Sequence, residues 1–129
     1  MSGRYLLDSN IVIAFFGNEK AVVDRVKELP EVFVPVIVVG ELLYGAAKSA
    51  RSLENARRVR HFAQSVSLLA VDRATAESYA IIKNELRGKG RPIPENDIWI
   101  AAIAIEHHLT VVTRDPHFNE VNGILVESW

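Results

Sequence analysis

The stretch from Asp97 to His108 restricts the fold more than any other part of the chain. Its run Ile98-Trp99-Ile100-Ala101-Ala102-Ile103-Ala104-Ile105 is apolar on every side, and such a helix is satisfied only when buried between other layers. Leu109 to Thr113 follows at once and predicts a central strand. A buried helix leading straight into a buried strand calls for a layered α/β architecture.

The rest of the chain alternates in the same way. Residues 4–7 form a short apolar strand that stops at Asp8, and a helix is expected over Asn18 to Leu29, where Val22, Val23, Val26 and Leu29 recur at helical spacing before Pro30. Val32 to Val34 predicts a second strand, and Pro35 can open a helix reaching Lys48. The β-branched run Val36-Ile37-Val38-Val39 argues for strand there, and helix is the reading adopted. Leu53, Ala56, Val59, Phe62 and Ala63 share one helical face opposite Arg57, Arg58 and Arg60, and an apolar strand candidate spans 66–71. Asp72 is placed to cap a helix carrying Ala76, Tyr79, Ala80, Lys83 and Leu86, which stops at Gly88-Lys89-Gly90-Arg91-Pro92. Residues 124–126 predict a last strand. The expected fold is therefore α/β, a three-layer α/β/α sandwich around a central parallel sheet. With 129 residues and 49% of them hydrophobic, one domain spanning 1–129 is expected, without repeats or linkers.

Several function classes fall away on composition. The chain has no cysteine, which removes disulfides, thiolate zinc sites and a cysteine nucleophile, and fits a reducing cytoplasm. The N-terminus meets Asp8 after only two leucines, too soon for a secretory apolar stretch, and no run is long enough to span a membrane. The formal charge of −1 includes four acids singled out below, so the remainder carries +3 and nucleic acid is not excluded.

Those acids are Asp8, Glu41, Asp97 and Asp115. In open parallel sheets ligands bind beyond the carboxyl ends of the strands, where Asp8 and Asp115 each follow an apolar strand. Asp97 opens the buried helix just before the second of these strands, and a helix N-terminus favours negative charge. Glu41 sits among Val36 to Leu43, where an unpaired carboxylate is costly and its pKa would rise, so it needs a partner or a cation. Arg4 is the only lysine or arginine within four residues of Asp8, Glu41 or Asp97. A divalent ion is the simplest counter-charge, and hard oxygen donors match Mg2+ or Mn2+ rather than zinc or copper. Each acid also has a plain structural reading: Asp97 as a helix-start acid, Asp8 with Asn10 as a strand-end cap, Asp115 before Pro116 as a turn former.

Four landmarks occur in order: Leu7-Asp8-Ser9-Asn10-Ile11, Gly40-Glu41-Leu42 with Tyr44-Gly45, Asn96-Asp97 with Ile100-Ala101-Ala102, and Thr113-Arg114-Asp115 with His117-Phe118. Together they resemble the PIN-domain family over nearly the whole chain, and within it the VapC-type toxins of toxin–antitoxin pairs. The resemblance implies a metal-dependent endoribonuclease with Asp8, Asp97 and Asp115 on the main ion and Glu41 completing the ion or water site. It implies hydrolysis by a metal-activated water, leaving a 5′-phosphate and a 3′-hydroxyl, with Asn10 and Thr113 steadying the neighbouring carboxylates. A homodimer, a VapB-like antitoxin whose C-terminal segment lies over the acidic crevice, and a tRNA or rRNA target are implied as well.

Outside the acids the signals are weaker. Lys89 and Arg91, in a basic glycine loop ahead of Asp97, are candidate phosphate contacts or a solvated helix stop. The arginine face of 51–60 could guide RNA, meet an acidic partner or simply be solvated. His107 and His108 suit the end of a helix, and Trp99 suits the core. Phe15 and Phe16 could be core, dimer surface or antitoxin contact. A haloacid-dehalogenase phosphatase would need a second aspartate where Asn10 stands, and a receiver domain would need paired acids and a late lysine. An RNA- or partner-binding module with a structural ion is the non-enzymatic alternative.

Overall fold

Leu6, Leu7, Val111 and Val112 are wholly inaccessible to solvent, which is what adjacent strands at the centre of a parallel sheet require, since both their faces are covered. The computed structural model describes residues 3–129, and in it these residues pair in register, Leu6 with Val111 and Leu7 with Val112. They belong to β1 (Tyr5–Leu7) and β4 (Thr110–Val112). From β1 the chain passes through α1 (Ser9–Phe16) and α2 (Lys20–Glu28) to β2 (Phe33–Pro35), then through α3 (Val36–Lys48) and α4 (Ser52–Gln64) to β3 (Ser67–Leu69). It returns through α5 (Arg73–Lys89) and α6 (Glu95–His107) to β4, and a short 3-10 turn (Pro116–Glu120) leads to β5 (Val126–Glu127). All pairings are parallel, in the order β3-β2-β1-β4-β5.

This order has one reversal. The chain builds outward from β1 on one side and comes back to build β4 and β5 on the other, so the crevice between β1 and β4 is the topological switch point. Between the strands the helices pack in pairs, α1 with α2, α3 with α4 and α5 with α6. The α/β/α sandwich around a parallel sheet is thus the observed fold. In α6, Ile98, Ile100, Ala101, Ala102, Ile103 and Ala104 are all buried, as the apolar run demands. Trp99 packs flat on Tyr79 of α5, with ring centroids 3.9 Å apart. Among the described residues no helix is long and apolar enough to cross a membrane.

Several local expectations need correction. The sequence reading passes over α1, whose Ile11, Val12 and Ile13 look like strand residues. Asp8 caps that helix by accepting the Ser9 N–H, and burial of Ile11, Val12 and Ala14 outweighs the weaker helix propensity of the two β-branched residues. In α3 the β-branched run is helical because Val38, Leu42 and Ala46, four residues apart, form the buried stripe. Asn18 is not helical; it takes a left-handed conformation (φ 58°), and α2 starts at Lys20. The buried helix α6 begins at Glu95, so Asp97 lies inside its first turn, and β5 begins at Val126, later than expected.

Candidate active site

Asp8 sits at the carboxyl end of β1, and its backbone N–H donates to the Val112 carbonyl at 3.0 Å, which ties it to β4. Its Oδ1 accepts the Ser9 N–H at 2.8 Å. Its Oδ2 accepts the Thr113 hydroxyl at 2.8 Å and, at 3.4 Å, the Asn10 amide. That amide also reaches Thr113 Oγ1 at 3.3 Å, and Asn10 Oδ1 accepts the Arg114 N–H at 3.1 Å. The Asp115 N–H in turn donates to Thr113 Oγ1 at 3.0 Å. Buried Thr113 is therefore the hub between the two strand ends: its single proton goes to Asp8, and its lone pairs receive Asn10 and Asp115.

Glu41 comes from the opposite wall, on α3. It is half-buried, and both its oxygens have protein partners: Ser9 Oγ donates to Oε1 at 2.6 Å and Asn96 Nδ2 to Oε2 at 3.2 Å. The partner demanded by its apolar surroundings is thus supplied by two neutral donors. Asp97, in contrast, is 8% exposed, and its Oδ2 is buried with no hydrogen bond among the described residues. His117 Nδ1 stands 3.3 Å from it. That nitrogen also stands 2.9 Å from Asp115 Oδ1, which accepts the His117 backbone N–H as well. One ligand atom each from Asp97, Asp115 and His117 lie within 4.8 Å of one another.

The electrostatics tie the acids into one group. Burial raises the Asp97 carboxyl to about 6, and the charges of Asp8 and Asp115 push the same way against the pull of His117. Burial also raises Asp8, opposed by its hydrogen bonds from Thr113 and Ser9 and reinforced by the charges of Glu41 and Asp115. Two buried carboxylates raised by their acidic neighbours, one of them with a buried oxygen lacking a partner, belong to a donor set short of positive charge. A divalent cation fits that deficit and those oxygen donors.

The four acids therefore gather at the switch point, but only Asp97 and Asp115 stand at ligand spacing from a shared third group, and that group is His117. The sequence reading misses His117, Ser9 and Asn96 as site residues. Ser9 and Asn96 adjoin Asp8 and Asp97 in sequence, which is the signal that could have found them. His117 reaches the site only because the 3-10 turn folds it back, with Phe118 fully buried beneath.

The basic candidates sit differently. Lys89 ends α5, and its ammonium donates to the Glu120 carbonyl at 2.6 Å and to Asn122 Oδ1 at 3.3 Å. Arg91 is exposed just after the left-handed cap Gly90. Arg58 donates to the Phe16 carbonyl and lies over the Phe16 ring. It lines a cavity of about 450 Å³ with Ile13, Phe16, Leu42 and Glu41, so an apolar groove opens onto the acidic site.

Comparison with known proteins agrees with this geometry. The model of the PIN domain matches residues 5–124. The chain is 31% identical to the tRNA(fMet)-specific endonuclease VapC of Shigella flexneri, with 98% of each chain covered. It is 33% identical to ribonuclease VapC2 of Haemophilus influenzae, again over 98% of each. The structure resembles DNA-bound VapBC from Salmonella typhimurium with a TM-score of 0.91 at 30% identity, covering 99% of both chains.

Proposed function

This chain belongs to the PIN-domain family, and on that premise we propose that it is the endoribonuclease toxin of a type II, VapBC-like toxin–antitoxin pair. We take residues 1–129 as one PIN domain that hydrolyses RNA phosphodiesters at the crevice of Asp8, Glu41, Asp97 and Asp115. The observation that carries the reading is the buried Asp97 Oδ2, unpaired beside Asp115 and held within one cluster of mutually repelling acids. Asp8, Asp97 and Asp115 would hold a divalent cation, Mg2+ or alternatively Mn2+, with Glu41 completing the site. Such a cation supplies Lewis-acid chemistry, activating water and stabilising the charge on the phosphate.

The chain's own residues do the remaining work. Thr113 and Asn10 fix the orientation of Asp8, and Thr113 also fixes the backbone at Asp115, so both strand ends move as one unit. Ser9 and Asn96 hold Glu41 over the crevice, leaving its remaining lone pairs for water or the ion. Carboxylates repel a phosphodiester, so what these residues would supply is a fixed place for the positive charge that meets the scissile phosphate, which supports proximity and electrostatic stabilisation as the main sources of rate.

Similarity to VapC ribonucleases and to VapBC complexes supports a homodimer, a VapB-like antitoxin as partner and a tRNA or rRNA target. The groove of Ile13, Phe16 and Leu42, running up to Glu41, suits an antitoxin segment that carries apolar side chains over the acids. A cytoplasmic location follows from that choice of substrate.

Incubating antitoxin-free protein with total tRNA and rRNA in Mg2+, in Mn2+ and in EDTA, beside Asp97→Asn, tests the reading. Specific metal-dependent cuts with 5′-phosphate ends, absent from the variant, are expected. RNA that is bound but never cut under any ion would replace the nuclease by a binding module.

A further inference from the structure

We infer that His117 is a nitrogen ligand of the active-site cation and biases the site toward manganese over magnesium. The inference rests on the reading above, that these carboxylates hold a divalent cation, and adds a ligand to it.

The distances carry the argument. Two neighbouring ligands of an octahedral ion bound at about 2.1 Å lie about 3.0 Å apart. His117 Nδ1 is 2.9 Å from Asp115 Oδ1 and 3.3 Å from Asp97 Oδ2. All three atoms lie within 4.8 Å of one another, close enough to share one ion. Both oxygens of Asp8 and both of Glu41 accept hydrogen bonds from the protein, and Asp115 Oδ1 accepts one, from the His117 N–H, which leaves it a second lone pair. Asp97 Oδ2 is the buried side-chain oxygen among the described residues without a hydrogen bond, and it faces the imidazole.

The position of the ring is also built rather than accidental. Pro116 begins the 3-10 turn, Asp115 caps it by accepting the His117 N–H, and the neighbouring Phe118 is fully buried. The root of the His117 side chain is therefore fixed, while its ring, 46% exposed, keeps room to turn toward an ion. Among the described residues the carboxylates within 4.0 Å of the ring nitrogens are those of Asp97 and Asp115.

Ligand type then sets the preference. Magnesium is a hard ion that holds oxygen donors and its own waters, whereas manganese, equally at home among carboxylates, is the softer of the two and takes an imidazole nitrogen more readily. Adding one nitrogen to a set of carboxylates leaves magnesium nearly indifferent and strengthens manganese.

The test is Mn2+ binding to the antitoxin-free protein, followed by electron paramagnetic resonance, with Mg2+ competition to obtain the ratio of affinities. Pulsed measurements on protein carrying 15N-histidine read directly whether an imidazole nitrogen is bound to the ion. Wild type is expected to show that coupling. His117→Gln, and His117→Asn as a second variant, are expected to lose it, with manganese affinity falling about tenfold, the lower end of the scale on which ligand surroundings act, and magnesium affinity changing less than about twofold. Thermal melts without metal confirm that the variants fold. Mn2+ bound without nitrogen coupling, or coupling that survives both substitutions, overturns the role of His117 while leaving the carboxylate site intact. Mn2+ binding that is absent, or equal in wild type and Asp97→Asn, overturns the carboxylate reading and this inference with it.

Discussion

Asp97→Asn should make the metal-free protein more stable while removing its activity. In the fold the Asp97 carboxyl is raised from 3.8 to about 6 by burial first and by the charges of Asp8 and Asp115 second. A group whose pKa is higher in the folded than in the unfolded state binds its proton more tightly when folded, so its ionised form opposes folding. The penalty is complete above about pH 6, shrinks as pH falls from there toward 3.8, and is absent below. Two units at about 1.4 kcal/mol each give a ceiling of about 3 kcal/mol at neutral pH. Asparagine has nearly the same shape and no charge, but its amide must find its own partners, so the expected gain falls below that ceiling, at about 1–2 kcal/mol. For a chain of this length that is a rise in Tm of roughly 3–8 °C. Thermal and urea unfolding of both proteins in EDTA at pH 7.5, 6 and 4.5 measure it. The advantage of the variant should narrow steadily as pH falls. Saturating Mn2+ should then reverse the order, because an ion at a hundred times its Kd adds about 2.7 kcal/mol to wild type alone. A variant no more stable than wild type at pH 7.5 in EDTA, or a difference independent of pH, would refute the claim that Asp97 is an uncompensated buried charge.

Two further outcomes follow from the same site. Thr113→Val keeps the shape of a fully packed residue but deletes the hydroxyl that Asp8, Asn10 and the Asp115 N–H share; stability in urea should drop by about 1–3 kcal/mol, and cleavage should fall because Asp8 and Asp115 no longer share an anchor. Cleavage should also cease in EDTA and decline as pH falls through about 6, where protons compete with the ion for Asp97; pH profiles at low and high Mn2+ check this, and a midpoint unmoved by metal concentration would exclude the competition.

The layered fold and the positions of the four acids were legible because both depend on patterns several residues long. The apolar run of α6 can be satisfied only between layers, and acids directly after apolar strands fall at the carboxyl edge of a parallel sheet. What escaped depends on a tertiary balance or on a single turn. Whether Ile11 and Val12 extend a strand or enter a helix is decided by the Asp8 cap and by the surface they bury, neither of which shows in local propensity. The role of His117 depends on a 3-10 turn of five residues returning its ring to Asp97, twenty positions earlier in the chain. Lys89 depends on tertiary structure in the same way: a lysine between glycines reads as a phosphate contact or a solvated helix stop, and the fold brings its ammonium to the Glu120 carbonyl and Asn122.

The site's want of a cation is itself maintained by the placement of the basic residues nearby. Arg114 adjoins Asp115 in sequence and could neutralise it, yet its guanidinium is bound to both carboxylate oxygens of Glu19, at 2.9 and 3.3 Å, and to the Trp129 carbonyl at 3.0 Å. Arg4, the one basic residue within four positions of Asp8, donates to the His107 carbonyl and lies over the Phe33 ring, beyond the amino end of β1. Either arginine paired with an active-site carboxylate would lower its pKa and stabilise the metal-free chain. It would also occupy the charge that a divalent ion must meet, and so weaken the ion. The bidentate Glu19 pair therefore does two things for the crevice: it holds the end of β4 against the start of α2, and it keeps a neighbouring cation away from Asp115. Removing Glu19 would release Arg114 toward the acids, so a loss of metal affinity from a residue that touches neither ion nor RNA is the consequence that this arrangement entails.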